Sequence, residues 1–272
     1  MATVIVRGTG DVGSAVAHLL YRAGYTVVLQ DTPRPAYPRR GMSFTDAFFD
    51  GSAELDGVLA KRARDLGDLS PMVHCRRAIP VVDEPFERVV AALRPQVVID
   101  ARMRKREQPE FQRGVAPLTI GLGPNFVAGE NVDLVVETAW GGRMGDVIRW
   151  GASLPLSGEP KPIGGHGRDR FVYAACAGKF RSALKIGDHV EAGAVVGRIG
   201  AHDVRAPLTG CLRGLVQDGI EVPSGAKIVE VDPRGDRDGV KGLGERPKRI
   251  ADGVRRAIEE RLPQLEGDCT AG

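Results

Sequence analysis

Near the start of the chain a short β-branched run, Thr3 to Val6, leads directly into Gly8-Thr9-Gly10-Asp11-Val12-Gly13, and this junction constrains the fold more than any other segment. After it Val12, Val16, Leu19, Leu20 and Ala23 recur at helical spacing until Gly24, and a second apolar run, Thr26 to Gln30, ends at Asp31. In a strand-turn-helix unit of this kind each glycine has a task. Gly8 permits the tight turn, Gly10 lets the backbone approach a pyrophosphate, and Gly13 lets helix and strand pack closely. The unpaired N–H groups at the helix start, along Gly8, Thr9, Gly10, Asp11, Val12 and Gly13, then face an anion. Asp31 is placed to accept from a ribose hydroxyl and to repel a 2′-phosphate, which favours NAD(H) over its phosphorylated form. Arg34, Arg39 and Arg40, just beyond it, read as a solvated loop in preference to a second phosphate site.

Alternation continues less cleanly through Leu55 to Leu66, then Ile79 to Val82, Phe86 to Leu93 and Val97 to Asp100, with further apolar runs at Leu118 to Ile120 and Leu134 to Val136. Such alternation predicts an α/β fold, a Rossmann-like parallel sheet with helices on both faces. Open parallel sheets bind ligands at the carboxyl ends of their strands. Asp100, Arg102, Gly121, Gly123 and Asn125 fall there and join the expected cofactor site, and Glu137 and Thr138 end a strand at the same edge. The basic run Arg102, Arg104, Lys105 and Arg106 suits a phosphate or carboxylate, although charge runs more often form solvated surface.

Composition excludes several classes of partner. Of 272 residues, 38 are Lys or Arg and 35 are Asp or Glu, so the net charge of +3 is too small and too dispersed to mark a nucleic-acid binder. No apolar run approaches the roughly 18 residues a membrane span requires, and the first residues lack the pattern of a secretory signal. The expectation is a cytoplasmic protein with neither nucleic acid nor membrane as partner. The four cysteines, Cys75, Cys176, Cys211 and Cys269, form no C-x-x-C pair, which argues against a metal site. Cys75 precedes Arg76 and Arg77, cations that could lower its pKa, and is the catalytic candidate for a thiol chemistry.

Between residues 151 and 169 the chain turns rich in Gly and Pro, with His166 among them. This divides the chain into a first domain at 1–153, a linker at 154–169, a small β domain at 170–232 and a tail at 233–272. The β domain contains a 32-residue repeat: Gly178-Lys179-Phe180-Arg181 matches Gly210-Cys211-Leu212-Arg213, Gly187 matches Gly219, and Gly193 matches Gly225. In the tail, Ile250, Val254, Ile258 and Leu262 mark an amphipathic helix.

The pattern from Gly187 to Gly193, with Ala206-Pro207-Leu208-Thr209-Gly210, resembles the biotinyl/lipoyl barrel-sandwich fold, and the turn Gly200-Ala201-His202-Asp203-Val204 carries no lysine to bear a swinging cofactor. Together with Val4 to Asp11, Leu20 to Tyr25, Ile120 to Phe126 and Val136-Glu137-Thr138, these segments resemble the YqeB-type family of the selenium-dependent molybdenum hydroxylase system, related to the XdhC and CoxI maturation proteins. The resemblance covers the chain to about Asp232. It implies a maturation factor that holds a nucleotide or molybdopterin-type cofactor and aids its sulfuration, selenation or insertion into a hydroxylase of the xanthine dehydrogenase class. The implied partners are the molybdenum hydroxylase apoenzyme or other cofactor-maturation proteins, and a homo-oligomer is compatible with it. A histidine expected after Glu137-Thr138 is replaced by Trp140-Gly141-Gly142-Arg143. An NAD-dependent oxidoreductase and a non-catalytic nucleotide-sensing scaffold remain alternatives, so whether the chain is an enzyme is open.

Overall fold

The computed structural model describes residues 2–104, 107–156 and 158–268. Lys105, Arg106 and Cys269 lie outside the described residues. The opening residues form strand β1 (Thr3–Arg7), helix α1 (Asp11–Arg22) and strand β2 (Thr26–Gln30), with β1 and β2 parallel. Gly13 is obligatory within this unit, because an added Cβ would lie 2.0 Å from the Gly8 carbonyl oxygen.

The alternation then breaks. After a single helical turn, α2 (Ala47–Asp50), residues 52–62 form an antiparallel hairpin of β3 (Ser52–Leu55) and β4 (Val58–Arg62). Its turn, Asp56-Gly57, has φ of +44° and +75°, the left-handed pair that Asp-Gly accommodates and that matches strand twist. Helix α3 (Leu66–Cys75), β5 (Ile79–Val82), α4 (Phe86–Leu93) and β6 (Val97–Asp100) restore the alternation. Strands β7 (Leu118–Leu122), β8 (Val127–Ala128), β9 (Leu134–Val136), β10 (Val147–Ile148) and β11 (Gly151–Ala152) then follow with no helix among the described residues.

Nine of these strands make one sheet in the order β10-β9-β7-β6-β1-β2-β5-β4-β3, and β8 pairs with β11 alone. The interior pairs are parallel, while β10 on one margin and β3 on the other run antiparallel to their neighbours. Strands β5, β6 and β7 are buried along their whole length, as unbroken apolar runs covered on both faces must be.

The C-terminal part contains β12 (Phe171–Tyr173), β13 (Gly178–Arg181), β14 (His189–Val190), β15 (Val195–Ile199), β16 (His202–Arg205), β17 (Gly210–Leu215), β18 (Glu221–Val222) and β19 (Lys227–Asp232). They form two antiparallel sheets, β12-β19-β17-β14 and β16-β15-β13-β18. Each repeat lends its two-residue strand to the other: β14 pairs with β17, and β18 with β13. Phe180, Ile199, Leu212 and Val231 thereby share one core, against which Ala36 and Phe49 from the first part of the chain also pack.

Helix α5 (Glu245–Asp268) returns to the first sheet. Ile250, Val254 and Ile258 are buried with Val4, Val16, Leu20 and Ile120, and the helix lies against α1, β7, β9 and β10. It supplies cover to strands β7, β9 and β10, whose connections contain no helix among the described residues.

The expectation of a Rossmann-like parallel sheet followed by a biotinyl/lipoyl-like barrel-sandwich is therefore corrected. The large sheet is mixed, its connections from β6 to β10 carry no crossover helix among the described residues, and one of its covering helices comes from the far end of the chain. The C-terminal strands form two four-stranded antiparallel sheets whose core includes side chains from residues 36 and 49. Apolar periodicity reports a strand but not the direction of its partner, which is why the hairpin at 52–62 and the antiparallel margin at β10 were not anticipated.

The α5 contact is tight at one point, where a Cβ on Gly253 would come within 2.2 Å of the Gly145 carbonyl oxygen. Gly253→Ala is expected to lower stability by about 1–3 kcal/mol through overpacking, although alanine is the better helix former. Equilibrium denaturation measures it, and a stabilised variant would contradict the close packing of α5 on the sheet.

Candidate functional site

The glycine turn has the backbone path expected of it, and its interior is occupied by the chain's own groups. The Thr9 N–H and hydroxyl both donate to Asp31 Oδ2, at 2.6 and 2.7 Å. Tyr37 lies over Gly10, where a Cβ would meet the ring at 2.9 Å. Asp11, in the first turn of α1, turns its carboxylate to the helix mouth, where it accepts from the Val12 N–H at 2.8 Å, from Arg39 at 2.9 Å and from the Tyr37 hydroxyl. Burial raises the Asp11 carboxyl, and Arg39, Tyr37 and Arg246 together more than reverse this, so it is held below the usual carboxylate range. The positive helix end thus already faces an anion. The NAD-binding expectation is corrected on this ground together with the mixed sheet: the pyrophosphate path is covered by Tyr37, and Asp31 is engaged by Thr9.

Asp11 and Arg39 open instead onto a cleft of 1290 Å³ between the carboxyl edge of the large sheet, the segment 154–170 and the C-terminal sheets. Ten Lys or Arg and five Asp or Glu line it, so its potential is positive. At the mouth, Lys161 Nζ stands 4.4 Å from the centre of the Trp140 ring. A more open hollow of 910 Å³ lies at the amino ends of β6 and β7, but its Arg113 is already paired with Asp133 at 3.1 Å.

Four cations converge on one carboxylate at the floor of the large cleft. Glu230, on β19, is fully buried; Arg39 Nε lies 2.8 Å from its Oε2, Lys227 Nζ 2.7 Å from the same oxygen, Arg213 Nε 3.4 Å from Oε1, and Arg170 also donates to Oε1. Burial pushes the Glu230 carboxyl up, and the cations, Arg39 foremost, overcome that and hold it well below the carboxylate range. Arg213 and Arg234 also face Asp232, and Arg246 sits near Asp11 while donating to the Thr138 carbonyl at 2.9 Å. Six cations thus face the carboxylates of Asp11, Glu230 and Asp232, with Glu137 acting on Arg246 and Asp236 on Arg234, which leaves one more cation than carboxylates. Burial, and next the neighbouring Arg39, lower the Lys227 ammonium to about 8, and burial is also the chief cause that lowers Arg213 and Arg246.

The loop from β2 to α2 positions Arg39. The Leu215 N–H donates to the Pro38 carbonyl at 2.8 Å, and Arg40 donates to the Leu215 carbonyl at 2.9 Å and to Asp46 at 2.7 Å. Arg39 and Arg40 are therefore structural bridges, contrary to the solvated-loop reading. The remaining expected site residues are arranged differently. Asp100 accepts from Arg102 Nε at 3.0 Å and from Gln112 at 2.6 Å, and Arg102 also reaches Glu110. Gly121 makes room for the Phe126 ring and Gly123 for Thr138, while Asn125 donates to the Glu107 carbonyl at 2.9 Å. Glu137 organises the cleft rim by accepting the N–H groups of Thr138, Ala139 and Leu154, each at 2.7 Å. Cys75 is exposed at the end of α3, away from the cleft, and the Arg76 guanidinium turns to the Gly24 carbonyl at 2.6 Å. Sequence reasoning missed Arg170, Arg213, Lys227, Glu230 and Arg246. The legible signal was a carboxylate within the apolar run Ile228-Val229-Glu230-Val231.

No family model matches the chain. Over 255 residues, 94% of its length, the chain is 37% identical to the uncharacterized protein YqeB of Escherichia coli K12, of which it spans 47%, about half. The likeness to YqeB read from the sequence is therefore found. Among solved structures it is similar to an aspartoacylase family protein from Mesorhizobium loti (12% identity, 85% and 84% of the two chains, TM-score 0.25). It is also similar to a succinylglutamate desuccinylase from a Silicibacter species (14%, 85% and 84%, TM-score 0.25) and to the product-bound ectoine utilization protein EutE of Ruegeria pomeroyi (13%, 85% of each, TM-score 0.25). Scores this low carry no argument about the chain. With the sheet mixed and the glycine turn closed, the XdhC-like, Rossmann and lipoyl-barrel descriptions do not apply. Among the described residues no helix is long and apolar enough to cross a membrane.

Replacing Glu230 by Gln leaves its four cations without their anion and is expected to cost about 3–5 kcal/mol at neutral pH. The folded carboxyl lies below its unfolded value, so its contribution is complete above that value and is lost as pH falls toward the folded one. Melting temperatures from pH 7 to pH 3 should fall steeply in the parent and less steeply in Glu230→Gln. Equal slopes would remove Glu230 from its central place.

Proposed function

We propose that the cleft receives a phosphate-bearing small molecule and that the chain acts as its holder. The observation carrying this reading is the excess of cations over carboxylates at the cleft floor, which an anionic ligand would balance. A cavity of this size accommodates a molecule of cofactor dimensions, and at its rim the Lys161 ammonium lies over the Trp140 ring.

The role implied by the resemblance gives this proposal its setting: a phosphorylated pterin of the molybdopterin type as ligand, and a cytoplasmic molybdenum hydroxylase apoenzyme or another maturation protein as recipient. That setting rests on the resemblance and on the chemistry of the cleft together.

Titration calorimetry with inorganic pyrophosphate tests the holder. Binding to the parent and about tenfold weaker binding to Arg246→Gln are expected, a loss of about 1.4 kcal/mol for one charge-assisted contact. Absence of binding, or unchanged affinity in the variant, would overturn the assignment. Mass spectrometry of the small molecules released from the purified protein addresses the setting: a molybdopterin species supports it, and a nicotinamide dinucleotide contradicts it.

A further inference from the structure

Lys227 stands apart from the guanidinium groups around it, because an amine can form a covalent bond. Its Nζ lies over the Phe171 ring, 4.2 Å from the ring centre and 2.7 Å from Glu230 Oε2; a quarter of the side chain is exposed, and the residue lines the cleft. The charged groups facing it come from every side: Arg39 from the loop after β2, Arg170 from the turn before β12, Arg213 from β17, Glu230 from its own strand, and Asp11 from α1.

We infer that Lys227 is a nucleophilic amine that captures an anionic aldehyde or ketone in this cleft as an imine. Three observations converge on it. Neighbouring guanidinium groups supply the site for the ligand's anion, Lys227 lines the cleft that would hold the ligand, and burial with Arg39 brings the amine to about 8, so an unprotonated fraction is present near neutral pH. The step balances without a further reactant. The ammonium releases a proton, the Nζ lone pair attacks the carbonyl carbon, and the carbonyl π pair moves to oxygen. The resulting carbinolamine takes up a proton and loses water. The protonated imine keeps the single positive charge of the starting ammonium, so the buried ion cluster does not change its total charge, and Glu230, held as a carboxylate, accepts its N–H.

This inference rests on the anion-binding reading, and the experiment separates the two. Pyridoxal 5′-phosphate serves as an anionic aldehyde, and pyridoxamine 5′-phosphate as the same anion without a carbonyl. Borohydride then reduces any imine to a secondary amine on the full chain, and peptide mass mapping locates it. At limiting probe, labelling of Lys227 at least tenfold above the other lysines is expected, with a rate that falls about tenfold per pH unit below 8. Lys227→Arg should still bind pyridoxamine 5′-phosphate and lose the dominant label. If pyridoxamine 5′-phosphate binds but label spreads evenly over the lysines, or Lys227 stays unmodified, the imine is excluded and the anion site stands. If neither pyridoxamine 5′-phosphate nor pyrophosphate binds, both fall.

Discussion

The structure depends on how a buried carboxylate is kept charged. Glu230 is fully buried, and desolvating an ion costs several kcal/mol unless other charges and hydrogen bonds replace the solvent. Arg39 is the main compensating group, and it reaches Glu230 only because the loop from β2 is tied to β17 through Pro38, Arg40 and Leu215. The same guanidinium holds Asp11 at the mouth of α1. One side chain therefore links the first helix to the C-terminal sheets, and the ion cluster both joins the two parts and forms the cleft floor.

That arrangement explains why the glycine turn is closed. A helix end with unpaired N–H groups attracts an anion, and here Asp11 is that anion, fixed by Arg39 and Tyr37. The surplus positive charge appears farther along, where Arg170, Arg213, Lys227 and Arg246 meet without enough carboxylates to match them. Anion affinity is thus displaced from the backbone turn to a side-chain cluster between two sheet systems.

The opening strand-helix-strand unit was legible because each element there is local: a β-branched run, a helical stripe and a glycine whose role is close packing. The 32-residue repeat and the apolar stripe of α5 were legible for the same reason. Strand direction was not, since the hairpin of β3 and β4 and the margin at β10 depend on pairings that apolar spacing does not encode. The site was less legible than the fold. Arg39 sits in a run of polar and Pro residues that looks solvated, and its burial follows from contacts with residues nearly two hundred positions away. Gly10 was read as room for a pyrophosphate, whereas that room is taken by Tyr37, a residue without a local signal.

The docking of α5 carries a consequence for biosynthesis. Strands β7 and β9 leave the ribosome well before the helix that covers them, and at ordinary rates of elongation the interval is on the order of ten seconds. During that time the apolar face later covered by Ile250, Val254 and Ile258 has no permanent cover. The nascent sheet is therefore a natural client for a holdase, and a ribosome stalled short of codon 250 would display an adhesive surface that the finished molecule conceals.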